Sequence, residues 1–163
     1  MKKTNIILAI IIAVFVLSAA IILIIAVNNN KERETIPTDI DFETLSFNIE
    51  ETTDFGDSKM ENIILDDLVQ DYGIDAEWVE EVIGKKPYVN VASKTYIIIK
   101  ATEGNIQNVI SALEDYGNNY ENIWKRYLPE EYELVKARKI GSKGNYVYFI
   151  VDDYAEDIIN LIK

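Results

Sequence analysis

From Ile6 to Val27 the chain runs for 22 residues without a charged side chain, nearly all of them Ile, Leu, Val and Ala. A helix rises about 1.5 Å per residue, so this run spans roughly 33 Å, enough to cross a hydrocarbon core of about 30 Å. It divides the chain into a membrane anchor (1–27), a polar tether NNNKERETIPTD (28–39) and a remainder of single-domain size (40–163). A cleaved secretory signal is the alternative, with Lys2 and Lys3 as its basic start and Ser18, Ala19 and Ala20 as its end. Such a signal has an apolar region of only about 7–15 residues, whereas here the run continues through IILIIAV. The expectation is an uncleaved single-pass helix. Lys2, Lys3 and the α-amino group outnumber Lys31 and Arg33. That balance favours a C-terminal domain outside the cell membrane.

Charge narrows the partners. The formal net charge is −12, and discounting Lys2 and Lys3 leaves about −14 on the rest of the chain. Phosphate backbones and anionic headgroups need clustered Lys and Arg, so nucleic acid is excluded as a partner. The chain has no cysteine and no histidine. Disulfides, thiol chemistry, a lipid-modified cysteine anchor, Ser-His-Asp and Cys-His arrangements and histidine-bearing zinc sites are therefore ruled out.

Along the remainder, Phe42, Leu45 and Ile49 keep helical spacing while Leu45, Phe47 and Ile49 alternate as a strand would; the helix is preferred. Ser58 and Glu61 have the form of a capping box ahead of a helical face of Met60, Ile63, Ile64 and Leu68, with Gly73 as the stop. Asp75 is expected to cap a second short helix burying Trp78, Val79, Val82 and Ile83 and ending at Gly84 and Pro87. TYIIIKA (95–101) reads as a strand covered on both faces. Thr102 is expected to cap a long helix from about Glu103. YELVKARKI and NYVYFIVDD flank Gly141–Gly144 as a hairpin with a glycine-bearing loop. Asp153 and Glu156 suggest a cap on a last helix whose stripe is Ala155, Ile158, Ile159 and Ile162. The class is α+β: several helices on a small, mainly antiparallel sheet.

The stretch DYGNNYENIWKRYLPEE, from Asp115, crowds three tyrosines and a tryptophan together. At about 100° per residue, Tyr116, Tyr120, Trp124 and Tyr127 fall within an arc of about 80° that also holds Ile106, Val109 and Leu113. They continue an aliphatic stripe, which is how a core is built, while the phenolic ends of Tyr116 and Tyr120 are a candidate ligand rim for a glycan or peptide.

No catalytic pattern emerges. Ser93-Lys94 and Ser142-Lys143 lack the S-x-x-K spacing, and adjacent residues do not face one another on a helix. Paired carboxylates are plentiful (Glu50-Glu51, Asp66-Asp67, Glu80-Glu81, Glu130-Glu131, Asp152-Asp153), so none is singled out. DFGDSKME does not follow the calcium-loop order, and GSKGN lacks the phosphate-loop order. No enzyme activity, cofactor or metal is expected.

DDLVQDYGID (66–75), YIIIKATEG (96–104), RYLPEEYELV (126–135) and GNYVYFIV (144–151), in that order, resemble the domain of unknown function 4358 family. The resemblance covers roughly residues 60–163. It implies an envelope-anchored protein of low-GC Gram-positive bacteria, exported behind a lipoprotein signal or a single membrane helix. It also implies an accessory role beside membrane O-acyltransferases that modify envelope glycans. The family supplies no established catalytic residues. It would give Gly73 a helix-stop role, Pro129 and Gly144 turn roles, and Tyr127 and Tyr146 places in the core.

Overall fold

The computed structural model describes residues 39–56, 58–89 and 91–163, which belong to one compact unit. The expected anchor and nearly all of the tether lie outside these residues. No helix among the described residues is long and apolar enough to cross a membrane.

Five strands form one antiparallel sheet in the order β1-β2-β3-β5-β4. They are β1 Met60–Asn62, β2 Val79–Pro87, β3 Thr95–Ala101, β4 Lys139–Lys143 and β5 Tyr146–Val151. Five helices pack on it: α1 Phe42–Thr52, α2 Leu65–Asp71, α3 Ile106–Trp124, α4 Pro129–Lys136 and α5 Ala155–Leu161. The α+β class holds.

Central β3 explains the three layers. Side chains alternate along a strand, so the Ile97-Ile98-Ile99 run must feed both faces of the sheet. Ile97 and Ile99 join Val147, Phe149 and Val151 of β5 in a core closed by α2, α3 and α4, through Leu68, Val109, Leu113, Trp124 and Val135. Ile98 joins Tyr96, Tyr146 and Ile150 beneath α1 and α5, packed on Phe42, Leu45, Ile49, Ile158 and Ile162. All three isoleucines are 0% exposed. Burial on this scale contributes about 1.5–3 kcal/mol per side chain.

Several local expectations give way to the sheet. Asp75 does cap, accepting the Glu77 N–H at 3.0 Å, but it caps only a 3-10 turn, Ala76–Trp78. The chain then extends as β2 rather than forming a second helix. Val79, Val82 and Ile83 fit a helical face and a pleated one equally well, and pairing with β3 decides. Gly84 is thus no helix stop. A Cβ there would stand 2.6 Å from the Tyr96 carbonyl oxygen, so glycine is the residue that lets β2 approach β3 this closely. Ser58 and Glu61 cap nothing, because Met60–Asn62 is an edge strand on β2. The helix starts at Leu65, its end closed by Asp67, which accepts the Ile64 N–H at 2.9 Å. Gly73 does end α2, with φ +67°.

The long helix begins at Ile106, not Glu103, since Gly104 takes φ +84° just before it. Thr102 serves the turn instead: its hydroxyl donates to the Glu77 carbonyl at 3.0 Å and accepts from Asn105 Nδ2 at 2.9 Å. Tyr132–Lys136, expected as strand, lies in α4, where Pro129 is the first helical residue rather than a turn former. The hairpin is real but tighter than expected. Gly141, Ser142 and Lys143 are strand, and Gly144-Asn145 make the turn. The Asp153–Glu156 cap is absent: Asp152 accepts the Tyr154 N–H at 2.8 Å, while Asp153 pairs with Lys94 and Glu156 with Lys139. Ala155, Ile158, Ile159 and Ile162 are buried as their spacing requires.

Candidate functional site

α3 carries two adjacent stripes. One is buried and includes Val109, Leu113 and Trp124; Asn108, Ser111, Asp115, Asn119 and Ile123 form its neighbour. Tyr116 and Tyr120 lie on the boundary, half-buried. Their rings belong to a ladder that begins off the helix. Tyr72 meets Tyr116 at a centroid distance of 4.1 Å, Tyr116 stacks on Tyr120 at 5.6 Å, and Tyr120 meets Trp124 edge-on at 6.0 Å. Phe149 of β5 closes on Tyr116 from beneath at 5.5 Å. The aromatics are therefore mostly core, as their spacing suggests. Tyr127 departs from that expectation. The helix ends at Trp124, so Tyr127 is 61% exposed, its ring touching Trp124 edge-on at 5.7 Å.

The outer edge of this ladder borders a groove of about 1070 Å³. One wall is the polar stripe of α3. The other comes from the end of α2 (Gln70, Asp71, Tyr72), from Trp78, and from Glu61, Lys86 and Tyr88 at the β1–β2 end of the sheet. The candidate rim residues Tyr116 and Tyr120 both line it.

Electrostatics set the groove's character. Lys86 Nζ lies 3.2 Å from Asp67, 3.5 Å from Asp71 and 3.7 Å from Glu61. Burial works against its charged form, but the hydrogen bond to Asp67 and the surrounding carboxylates outweigh that and hold its pKa above the ordinary range. Asp67 is pulled below the usual carboxylate range by the Ile64 N–H, with Lys86 adding to the effect. Burial pushes the hydroxyls of Tyr72, Tyr116 and Tyr120 upward, so they stay neutral donors at physiological pH. Tyr120 donates to the Ser93 carbonyl at 3.2 Å. The groove offers neutral hydrogen-bonding groups, aromatic edges and carboxylates.

The other sequence candidates are engaged elsewhere. Ser93 is fully buried, and both its N–H and its hydroxyl donate to Glu131 Oε2, at 2.7 and 2.6 Å. Lys94 Nζ donates to the Asp54 carbonyl at 3.0 Å and pairs with Asp153 at 3.0 Å. Ser142 and Lys143 are neighbours on β4, and Lys143 Nζ donates to the Ile159 carbonyl at 2.8 Å. The carboxylate pairs scatter: Glu50 on Lys85, Glu80 on Lys100, Asp152 on the Thr53 hydroxyl. Among the described residues no three metal-binding side chains gather. Trp78, Lys86 and Tyr88 escape the sequence reading because β2, which carries Lys86 and has Trp78 and Tyr88 at its two ends, is a strand and not a helix. The α3 contribution was legible in principle, since Asn108, Asp115 and Asn119 recur beside the aromatic stripe.

Fold and groove together define a small three-layer α+β domain with a concavity on one face. The match to the profile of a domain of unknown function (DUF4358) covers residues 52–152, and the chain belongs to that family. No curated protein and no solved structure shows significant similarity to it.

Proposed function

We propose that this chain is a non-catalytic interaction domain, held at the outer face of a cell membrane by its N-terminal apolar segment and acting on a protein partner in the envelope. The groove beside α3 carries this reading. It is large enough for a ligand, yet the serine–lysine candidates Ser93 and Lys94 do not line it and are tied up in structural hydrogen bonds. The uncharged run from Ile6 to Val27 supports the anchor, and the basic balance around it supports an external domain. Affinity capture of the intact protein from detergent extracts should recover a stoichiometric envelope protein; recovery of the chain alone refutes the partner. Protease added to intact protoplasts should digest the acidic domain, and resistance there, with the solubilised domain cleavable, refutes the orientation.

A second reading is favoured by one observation: Tyr116 and Tyr120 both line the groove. On this reading the domain is a glycan- or peptide-binding module at the cell wall, accessory to envelope polysaccharide O-acylation. It predicts binding to purified wall polymer that weakens in Tyr116→Phe and Tyr120→Phe, variants that keep the ring ladder. Equal binding by both variants removes the tyrosines from the account.

A further inference from the structure

Three features of the groove bear on what it takes. The first is charge. Glu61, Asp71 and Asp115 line it against the ammonium of Lys86, which is shared with a fourth carboxylate, Asp67. Asp115 is exposed and makes no ion pair among the described residues. The second is the walls. Trp78, Tyr88, Tyr116 and Tyr120 line it with apolar aromatic surface, against which the alkyl stem of a long basic side chain can pack. At Tyr88 one cation already meets a lining ring, since Lys59 Nζ lies 4.9 Å from its centroid. Even with Lys59 included, carboxylates outnumber ammonium groups. The third is the carboxamides of Gln70, Asn108 and Asn119, each a donor and an acceptor, as a peptide backbone requires.

We infer that the groove receives a cationic, extended peptide segment of the partner protein, its Lys or Arg side chains directed at Asp71 and Asp115 with their alkyl stems packed along the aromatic edges. This rests on the reading of the domain as partner-binding. A neutral sugar could donate its hydroxyls to the carboxylates but would leave their excess negative charge uncompensated, and an anionic segment would be repelled. The formal charge of −12 acts in the same direction at longer range, drawing basic segments toward the domain at low ionic strength.

The two tryptophans allow a local test. Trp78 lines the groove, whereas Trp124 is 2% exposed. The full chain in a neutral detergent is titrated with pentalysine, pentaglutamate and a neutral oligosaccharide while both indole N–H signals are followed by NMR. Pentalysine should shift the Trp78 signal saturably, leave Trp124 in place and bind more weakly as salt is added. The Asp71→Asn/Asp115→Asn variant should bind pentalysine roughly fivefold or more weakly, since exposed charge pairs contribute modestly. Both positions are on the surface, so its thermal midpoint should match the wild type. The inference is overturned by a Trp78 signal unmoved by pentalysine or by undiminished affinity in the variant. An equal response to the oligosaccharide overturns it as well and supports the glycan reading. Affinity capture from extracts remains an independent check, so a partner recovered without pentalysine binding separates the two claims.

Discussion

A methyl group at Gly84 would stand 2.6 Å from the Tyr96 carbonyl oxygen and 3.2 Å from the Ile97 Cα, both backbone atoms that cannot swing aside. Gly84→Ala should therefore push β2 off β3 and cost about 1–3 kcal/mol, read from urea denaturation. An unchanged midpoint would mean the strands are not this close. Sequence placed this glycine at a helix end because Val79, Val82 and Ile83 satisfy both periodicities, and only the partner strand reveals the close approach. Asp67 gives a pH prediction at the same scale. Its pKa is depressed by the Ile64 N–H and then by Lys86. A depressed folded-state pKa means the stabilisation is present above the unfolded aspartate value of about 4 and is lost as pH falls through the folded value. Asp67→Asn should flatten the acid side of the stability profile in that window. If the profile keeps its full slope there, the helix-end role of Asp67 is wrong.

Among the elements, β3 was the most legible and α4 the least. Three consecutive isoleucines cannot share one face of a strand, so the sequence itself demanded cover on both sides, and the structure places α2, α3 and α4 on one and α1 and α5 on the other. Ile97→Ala and Ile98→Ala should each cost about 2–5 kcal/mol despite pointing into different layers, as measured by thermal or chemical unfolding. A near-neutral result at either position would remove that layer. Residues 132–136, by contrast, look like a strand in isolation. Pro129 at the first helical position and the burial of Val135 against α3 and the sheet pull them into a helix. The aromatic stripe of α3 was legible up to Trp124 and failed at Tyr127, because nothing in the spacing marks where the helix stops.

On the scale of the whole molecule, the sheet separates a closed side from an open one. α1 and α5 seal one face, whereas on the other α2 and α3 leave the groove between them. That concavity was only half visible beforehand: Tyr116 and Tyr120 marked its rim, but its other wall depends on β2, which the sequence read as a helix. The central claim is that the partner engages this face. Ile123 lines the groove and is 64% exposed, and Phe47 on α1 across the sheet is also 64% exposed. A photo-crosslinking residue placed at each position in living cells makes the most direct comparison. Position 123 should trap a discrete envelope protein and position 47 should not. Equal labelling from both sites, or none from 123, would contradict a groove-centred interaction.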